Sequence, residues 1–201
     1  MAPRRQWGST CVREYQSGPD LARAGAASMV DAMAIHPAKL TEQELLADCD
    51  IARLRRGGPG GQHRNKVETA VAITHRPTGI RGEASERRSQ AENLRVAVGR
   101  LRVRLAVEIR PTEFDLSAAP SELWRSRVSR GRLSINATHI DFPALLAEAL
   151  DVVTLAEFDV AAAAKTLGIT TTQLVRFLQE EPAARTAINN ARRQRGLRPL
   201  H

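Results

Sequence analysis

The hydrophobic period of the chain changes near Ser85, and that change does most to limit what it can fold into. Val67, Thr69, Val71 and Ile73 alternate with Glu68, Ala70, Ala72 and Thr74, the period-two pattern of a half-buried strand. Arg76-Pro77-Thr78-Gly79 reads as a turn, and Ile80 to Ala84 as the returning arm of a hairpin. Leu94, Val98, Leu101, Leu105 and Ile109 then fall three or four residues apart. They form one apolar stripe on a helix from about Ser89 to Ile109. Arg95, Arg100, Arg102 and Arg104 are expected on its opposite face, and Pro111 ends it. Upstream, Thr41-Glu42-Gln43-Glu44 is a capping box, which predicts a short helix over Glu42–Ala47. Asp48 to Arg55 reads as a further strand.

The expected fold class is therefore α+β. A small unit over residues 39–110, with β-hairpin or mixed sheet, Gly-rich loop and long helix, precedes an α-helical C-terminal domain over 141–201 that ends in basic residues. Residues 111–140 read as a linker with one helical segment. Residues 1–38 show little periodicity and are expected to be poorly structured. The first thirteen residues carry Arg and no acid, in the manner of a transit peptide; a start at Met33 is the other reading. In the C-terminal part, helices are expected over Pro143–Leu150, Val160–Leu167, Thr171–Gln179 and Pro182–Arg195. Ala164, Gly168, Leu174 and Phe177 have the spacing of a helix-turn-helix, with Thr171, Thr172, Gln173 and Arg176 outward.

Composition narrows the class. Aromatics make up only 3% of the residues, so the core has to come from Ala, Leu, Val and Ile. Nowhere do eighteen apolar residues run together, so no membrane helix is expected. Cys11 and Cys49 suggest neither a disulfide framework nor a metal site; no metal and no cofactor is expected. The net charge of +8 comes almost wholly from arginine, the only lysines being Lys39, Lys66 and Lys165. Such a balance points to a polyanionic partner. Residues 51–110 hold 14 basic and 5 acidic side chains, and residues 182–201 hold 5 basic and none acidic. Between them, residues 141–181 hold 2 basic against 7 acidic, a net of −5. That block argues against the helix-turn-helix as a phosphate-binding surface.

The Gly-rich stretch Gly57-Gly58-Pro59-Gly60-Gly61 precedes Gln62. Glycine permits positive φ and lets backbone approach another surface closely. Gln62 offers a backbone N–H and a neutral amide, groups suited to an ester hydrolysis in which charge builds on oxygen. No side chain here is an obvious base or nucleophile. On three residues alone, a flexible connector is the favoured reading of the loop. A regular hairpin, a capped helix and flanking cations favour function.

At this point the sequence resembles a known family. Arg56-Gly57-Gly58-Pro59-Gly60-Gly61-Gln62-His63-Arg64-Asn65-Lys66 is similar to the signature loop of the class I peptide chain release factors. The resemblance continues in register through Thr69-Ala70-Val71, Ile73-Thr74-His75, Pro77-Thr78-Gly79-Ile80 and Arg88-Ser89-Gln90 with Asn93. It implies a catalytic role for Gly60, Gly61 and Gln62 in the peptidyl transferase centre, with the Gln62 N–H stabilising the transition state. It also implies methylation of Gln62 by a glutamine methyltransferase. Arg55, Arg56, His63, Arg64, Asn65, Lys66, Arg88 and Gln90 become candidate RNA contacts. Gly57 and Arg64 depart from the serine and valine common in the family, which bears on loop rigidity more than on the reaction.

Only about fifty residues precede the unit, and no Pro-x-Thr or Ser-Pro-Phe tripeptide occurs. The chain thus resembles the short, codon-independent ribosome-rescue branch, whose basic tails sense an empty messenger channel. Arg192, Arg193 and Arg195 are the candidate tail contacts. The implied partners are the ribosome through its large-subunit RNA, peptidyl-tRNA and the methyltransferase. A monomer in the bacterial cytoplasm is expected, with the mitochondrial matrix as the alternative. A non-catalytic RNA-binding protein on the same scaffold is the competing reading.

Overall fold

The computed structural model describes residues 35–54, 69–111 and 119–200, together with the backbone of 13–14. Elements are numbered here in chain order: β1 (Arg13–Glu14), α1 (Glu42–Ala47), β2 (Cys49–Leu54), β3 (Ala70–His75), β4 (Arg81–Ala84), α2 (Gln90–Glu108) and β5 (Ile109–Arg110). There follow α3 (Glu122–Arg127), β6 (Val128–Ser129), β7 (Arg132–Leu133), α4 (Phe142–Leu155), α5 (Val160–Thr166), α6 (Thr171–Gln179) and α7 (Pro182–Gln194). β2, β3 and β4 form an antiparallel sheet with β3 in the centre; β1 pairs with β5 in parallel and β6 with β7.

The capping box forms as expected. The Thr41 amide donates to Glu44 Oε2 at 2.9 Å, and Thr41 Oγ1 accepts from the Glu44 amide. The β3–β4 turn closes with Gly79 at φ +68°, a conformation glycine takes freely, and its amide donates to the His75 carbonyl at 2.8 Å. The half-buried reading of β3 requires correction: Ala70, Val71, Ala72 and Ile73 are all buried. Its central position puts a strand on either side, and alanines on the second face are short enough to be covered by those neighbours.

α2 lies across β3 and β4 and carries α4 on its other side. Ser89 caps it, and Val98, Leu101, Leu105 and Ile109 are buried as the stripe predicts. Gly82 permits the contact with β4, because a Cβ there would meet the Ala97 carbonyl and the Leu101 amide. Arg102 departs from the expected outward face. It is buried, and its guanidinium donates to the carbonyls of Ala38 (3.0 Å), Leu40 (3.2 Å) and Ile140 (3.1 Å). A fork of donors satisfies three carbonyls at once, which explains why a charge is tolerated there. Ala38 and its neighbours His36 and Pro37, read as part of the unpatterned N-terminal segment, are buried in this same region.

Residues 119–140 hold α3 and the β6–β7 pair, and Trp124 is the one buried side chain among them. Trp124 of α3 is fully buried, donates from Nε1 to the Leu167 carbonyl at 2.9 Å and meets the Phe177 ring edge-on at 5.8 Å. Phe142 packs on Phe177 in turn. One apolar cluster runs from Leu45 through α2 to Ile188. The sheet unit and the helices therefore share a continuous core.

Candidate functional site

β2 and β3 pair in register from Cys49↔His75 to Leu54↔Ala70. Residues 55–69 therefore leave the sheet and return to it at directly opposed positions. The Gly-rich loop lies on this segment. Gly60, Gly61, Gln62, Arg55, Arg56, His63, Arg64, Asn65 and Lys66 all fall outside the described residues.

What the structure shows is the base of that segment. Asn93, fully buried in the first turns of α2, donates from Nδ2 to the Thr69 carbonyl (2.6 Å) and the Arg87 carbonyl (2.9 Å). Its Oδ1 accepts from the Arg87 amide at 2.9 Å. One amide thus spends both donors and one acceptor joining the return strand, the 85–89 connection and the helix. Arg88 is exposed beside it, and Gln90 opens the helix. The sequence carried a signal for Asn93, a poor helix former standing four residues before buried Ala97 on the buried side of α2.

The opposite end of the sheet is pinned separately. Arg76 donates to the carbonyls of Cys49 (3.1 Å) and Ala47 (2.5 Å) and pairs with Asp50 (3.1 Å). His75 is buried with Nδ1 2.8 Å from Thr78 Oγ1, and burial lowers its pKa. Burial pushes the Cys49 thiol up to about 11, so it is an inert core residue.

The remaining cations divide by use. Arg100 and Arg104 pair with Glu86 (2.6 Å) and Glu108 (2.8 Å), whereas Arg95, exposed on the same helix, has no partner among the described residues. Arg192, Arg193 and Arg195 are not brought to the loop base; they lie near the end of α7. Arg192 donates to the carbonyls of Phe158 and Arg198. The Arg195 guanidinium stacks 4.4 Å over the Phe158 ring. The chain beyond α7 folds back, with the Leu200 amide on Asn189 Oδ1 at 2.7 Å. Arg193 is exposed and reaches only Asn190. Two of the three expected tail cations are thus spent inside the molecule. Among the described residues no cluster could hold a metal, and no helix is long and apolar enough to cross a membrane.

Comparison with known proteins bears directly on this strand–segment–strand–helix unit. Residues 40–134 match the RF-1 domain model. The chain is 40% identical over 105 residues to peptide chain release factor 1 of Chlorobaculum tepidum, covering 52% of this chain and 28% of that protein. Residues 40–134 therefore carry a domain shared with the class I peptide chain release factors. The chain is also 51% identical over 70 residues to the chloroplastic peptide chain release factor PrfB1 of Arabidopsis thaliana, covering 33% of this chain and 15% of that one. For release factor 1 of Acidiphilium cryptum the figures are 38% over 122 residues, 56% and 34%. The chain thus spans about a third or less of the length of these relatives. The RF-1 match takes in the sheet, α2 and the Trp124 helix, and stops before α4.

Proposed function

We propose that this protein hydrolyses the ester of peptidyl-tRNA on the ribosome through Gly60-Gly61-Gln62, without codon recognition. The observation that carries the reading is the pairing of Leu54 with Ala70, which closes the base of the segment bearing these residues inside an RF-1 domain. Asn93 secures the same base through Thr69. In the reaction a water oxygen bonds to the ester carbonyl carbon, the carbon–oxygen bond to the tRNA ribose breaks, and a proton ends on the ribose oxygen. The Gln62 N–H meets the charge that develops on oxygen, where a fixed donor is worth most. Ribosomal RNA supplies the remainder of the site, and Arg55, Arg56, His63, Arg64, Asn65, Lys66 and Arg88 hold the loop against it. Methylation of Gln62 and action in the bacterial cytoplasm belong to the same proposal.

The test is release of labelled peptide from ribosomes stalled on messenger truncated at the P site. Gly61→Ala restricts the loop backbone, and Gln62→Pro removes the N–H outright. Each is expected to lower release about a hundredfold or more, with ribosome binding retained. Full release by either variant overturns the catalytic assignment in favour of a non-catalytic RNA-binding role. Equal release with long messenger downstream overturns codon-independent rescue of empty channels.

A further inference from the structure

The helical module presents a surface that neither the loop nor the RF-1 match accounts for. α5 and α6 are joined by a tight turn in which Gly168 takes φ +67°, with Ala164, Leu174 and Phe177 buried between them. This is the helix-turn-helix arrangement that the spacing predicts. Thr171, Thr172 and Arg176 of α6 are exposed, and Gln173 is half-buried.

Part of the acidic block of residues 141–181 is neutralised in the fold. Of the seven acids in 141–181, Asp151 is buried against Arg110 (2.5 Å), and Glu148 is buried on the Ser121 amide (2.6 Å) and hydroxyl. Asp141 pairs with Arg127 at 2.5 Å. Asp159, exposed, and Glu181, half-buried, accept from backbone amides at the starts of α5 and α7 and keep their charge at the surface. Only Glu157 and Glu180 are left exposed without a partner among the described residues. The block boundary also cuts between α6 and α7, which pack together. Counted as a structural unit with the cap of α5, residues 159–200 hold 7 basic and 3 acidic side chains, a net of +4, with Arg192 and Arg195 among the cations engaged around Phe158. Lys165, Arg176 and Arg185 are exposed on α5, α6 and α7 with no partner among the described residues. The large apolar side chains exposed nearby, Leu155 and Leu197, flank α5 and α7 rather than lying on them.

We propose that α5 to α7 form a docking surface for the backbone of double-helical RNA. Lys165, Arg176 and Arg185 supply the charge; Thr171, Thr172 and Gln173 supply neutral hydrogen bonds to phosphate and 2′-hydroxyl. The choice of RNA rests on the release reading. The continuous core joins this module to the RF-1 unit, so on the release reading both enter the ribosome together.

The experiment titrates the full chain against a fluorescent 20-base-pair RNA hairpin, a DNA duplex of the same sequence and single-stranded RNA, each across a salt series. The combined variant Lys165→Gln/Arg176→Gln/Arg185→Gln changes only exposed side chains, and circular dichroism checks its fold. The expected result is RNA-duplex binding at least tenfold tighter than in the variant. The log–log salt slope should shrink by about two to three units, as loss of three phosphate contacts requires. Equal binding by wild type and variant overturns the surface. Tighter binding of the DNA duplex or of the single strand overturns its assignment to duplex RNA. Peptide release is read on the same preparations. Release by a wild type whose duplex binding is unchanged in the variant sinks this proposal alone. Absent release with variant-sensitive duplex binding sinks the release reading instead.

Discussion

Residues 35–111 contain no aromatic residue, whereas Trp124, Phe142, Phe158 and Phe177 all fall in the helical part that follows. The two regions reach a dense core by different means. In the sheet unit, Ala, Val and Leu fill the interface, and Gly82 lets β4 come against the α2 backbone. Its exactness then rests on polar clamps: Asn93 at one end of the sheet, Arg76 at the other, Arg102 beneath. In the helical module, large rings fill the space and meet edge to face. The difference teaches where stability and positioning reside. Rings anchor the helical core, and small residues with shared carbonyls fix the strand ends of the sheet unit.

Truncating Trp124 to Ala should have the largest effect. It removes a fully buried ring and its bond to Leu167, so a loss of about 3–5 kcal/mol is expected in denaturant unfolding. A loss under about 1 kcal/mol would break the comparison, since the module would then not depend on its rings. Asn93→Ala should cost about 1–3 kcal/mol by orphaning the Thr69 and Arg87 groups. Its signature is that peptide release at saturating protein falls while the folded fraction stays near one. Release that merely tracks folded protein would reduce Asn93 to a structural residue.

A smaller effect concerns pH. His36 is buried, with Nε2 on the Ile109 carbonyl at 3.1 Å and Nδ1 accepting from the Ala38 amide. Burial, and after it the Arg110 charge, lower its pKa from 6.5 to about 3. Between those values the unfolded chain binds the extra proton, so stability falls as pH drops below 6.5, by up to about 1.4 kcal/mol per pH unit. Asp151, raised by burial from 3.8 to about 6, acts in the opposite sense over its own window, because there the folded state holds the proton. His36→Gln removes the first contribution alone. The difference between wild type and variant should therefore shrink steadily as pH falls from 6.5 towards 4. A difference independent of pH would show that His36 titrates normally.

Gly99→Ala should have the smallest effect and the opposite sign. Gly99 is exposed in α2 with open space where a Cβ would stand, so alanine should add up to about 1 kcal/mol and raise the melting temperature a few degrees. Greater stability with weaker release would mark this exposed face of α2, beside Arg95, as a contact with the ribosome.

Much of this was legible in residues. The capping box, the Arg76–Gly79 turn, the α2 stripe and the Gly168 turn are local signals, and each places an element to within a few residues. The signals that failed were long-range. Arg102 looked exposed because nothing local reveals that Ala38, Leu40 and Ile140 bring three carbonyls to it. Asp141, Glu148 and Asp151 read as surface acids because their partners, Arg127, Ser121 and Arg110, lie outside residues 141–181. Arg192 and Arg195 looked free because the chain's return over Phe158 is a tertiary event. Of the site, Asn93 could be found from its place in the sequence, but its role as the clamp on Thr69 needed coordinates.

The opposed ends at Leu54 and Ala70 have a consequence for how such a protein can change. Paired strands supply the closure that the intervening chain would otherwise need, and the entropy of closing a segment grows only with the logarithm of its length. Insertions or replacements within residues 55–69 should therefore alter folding stability little, each doubling of length costing about 0.6 kcal/mol. The paired ends at Leu54 and Ala70 thus mark a natural position for transplanting the corresponding segment of a relative.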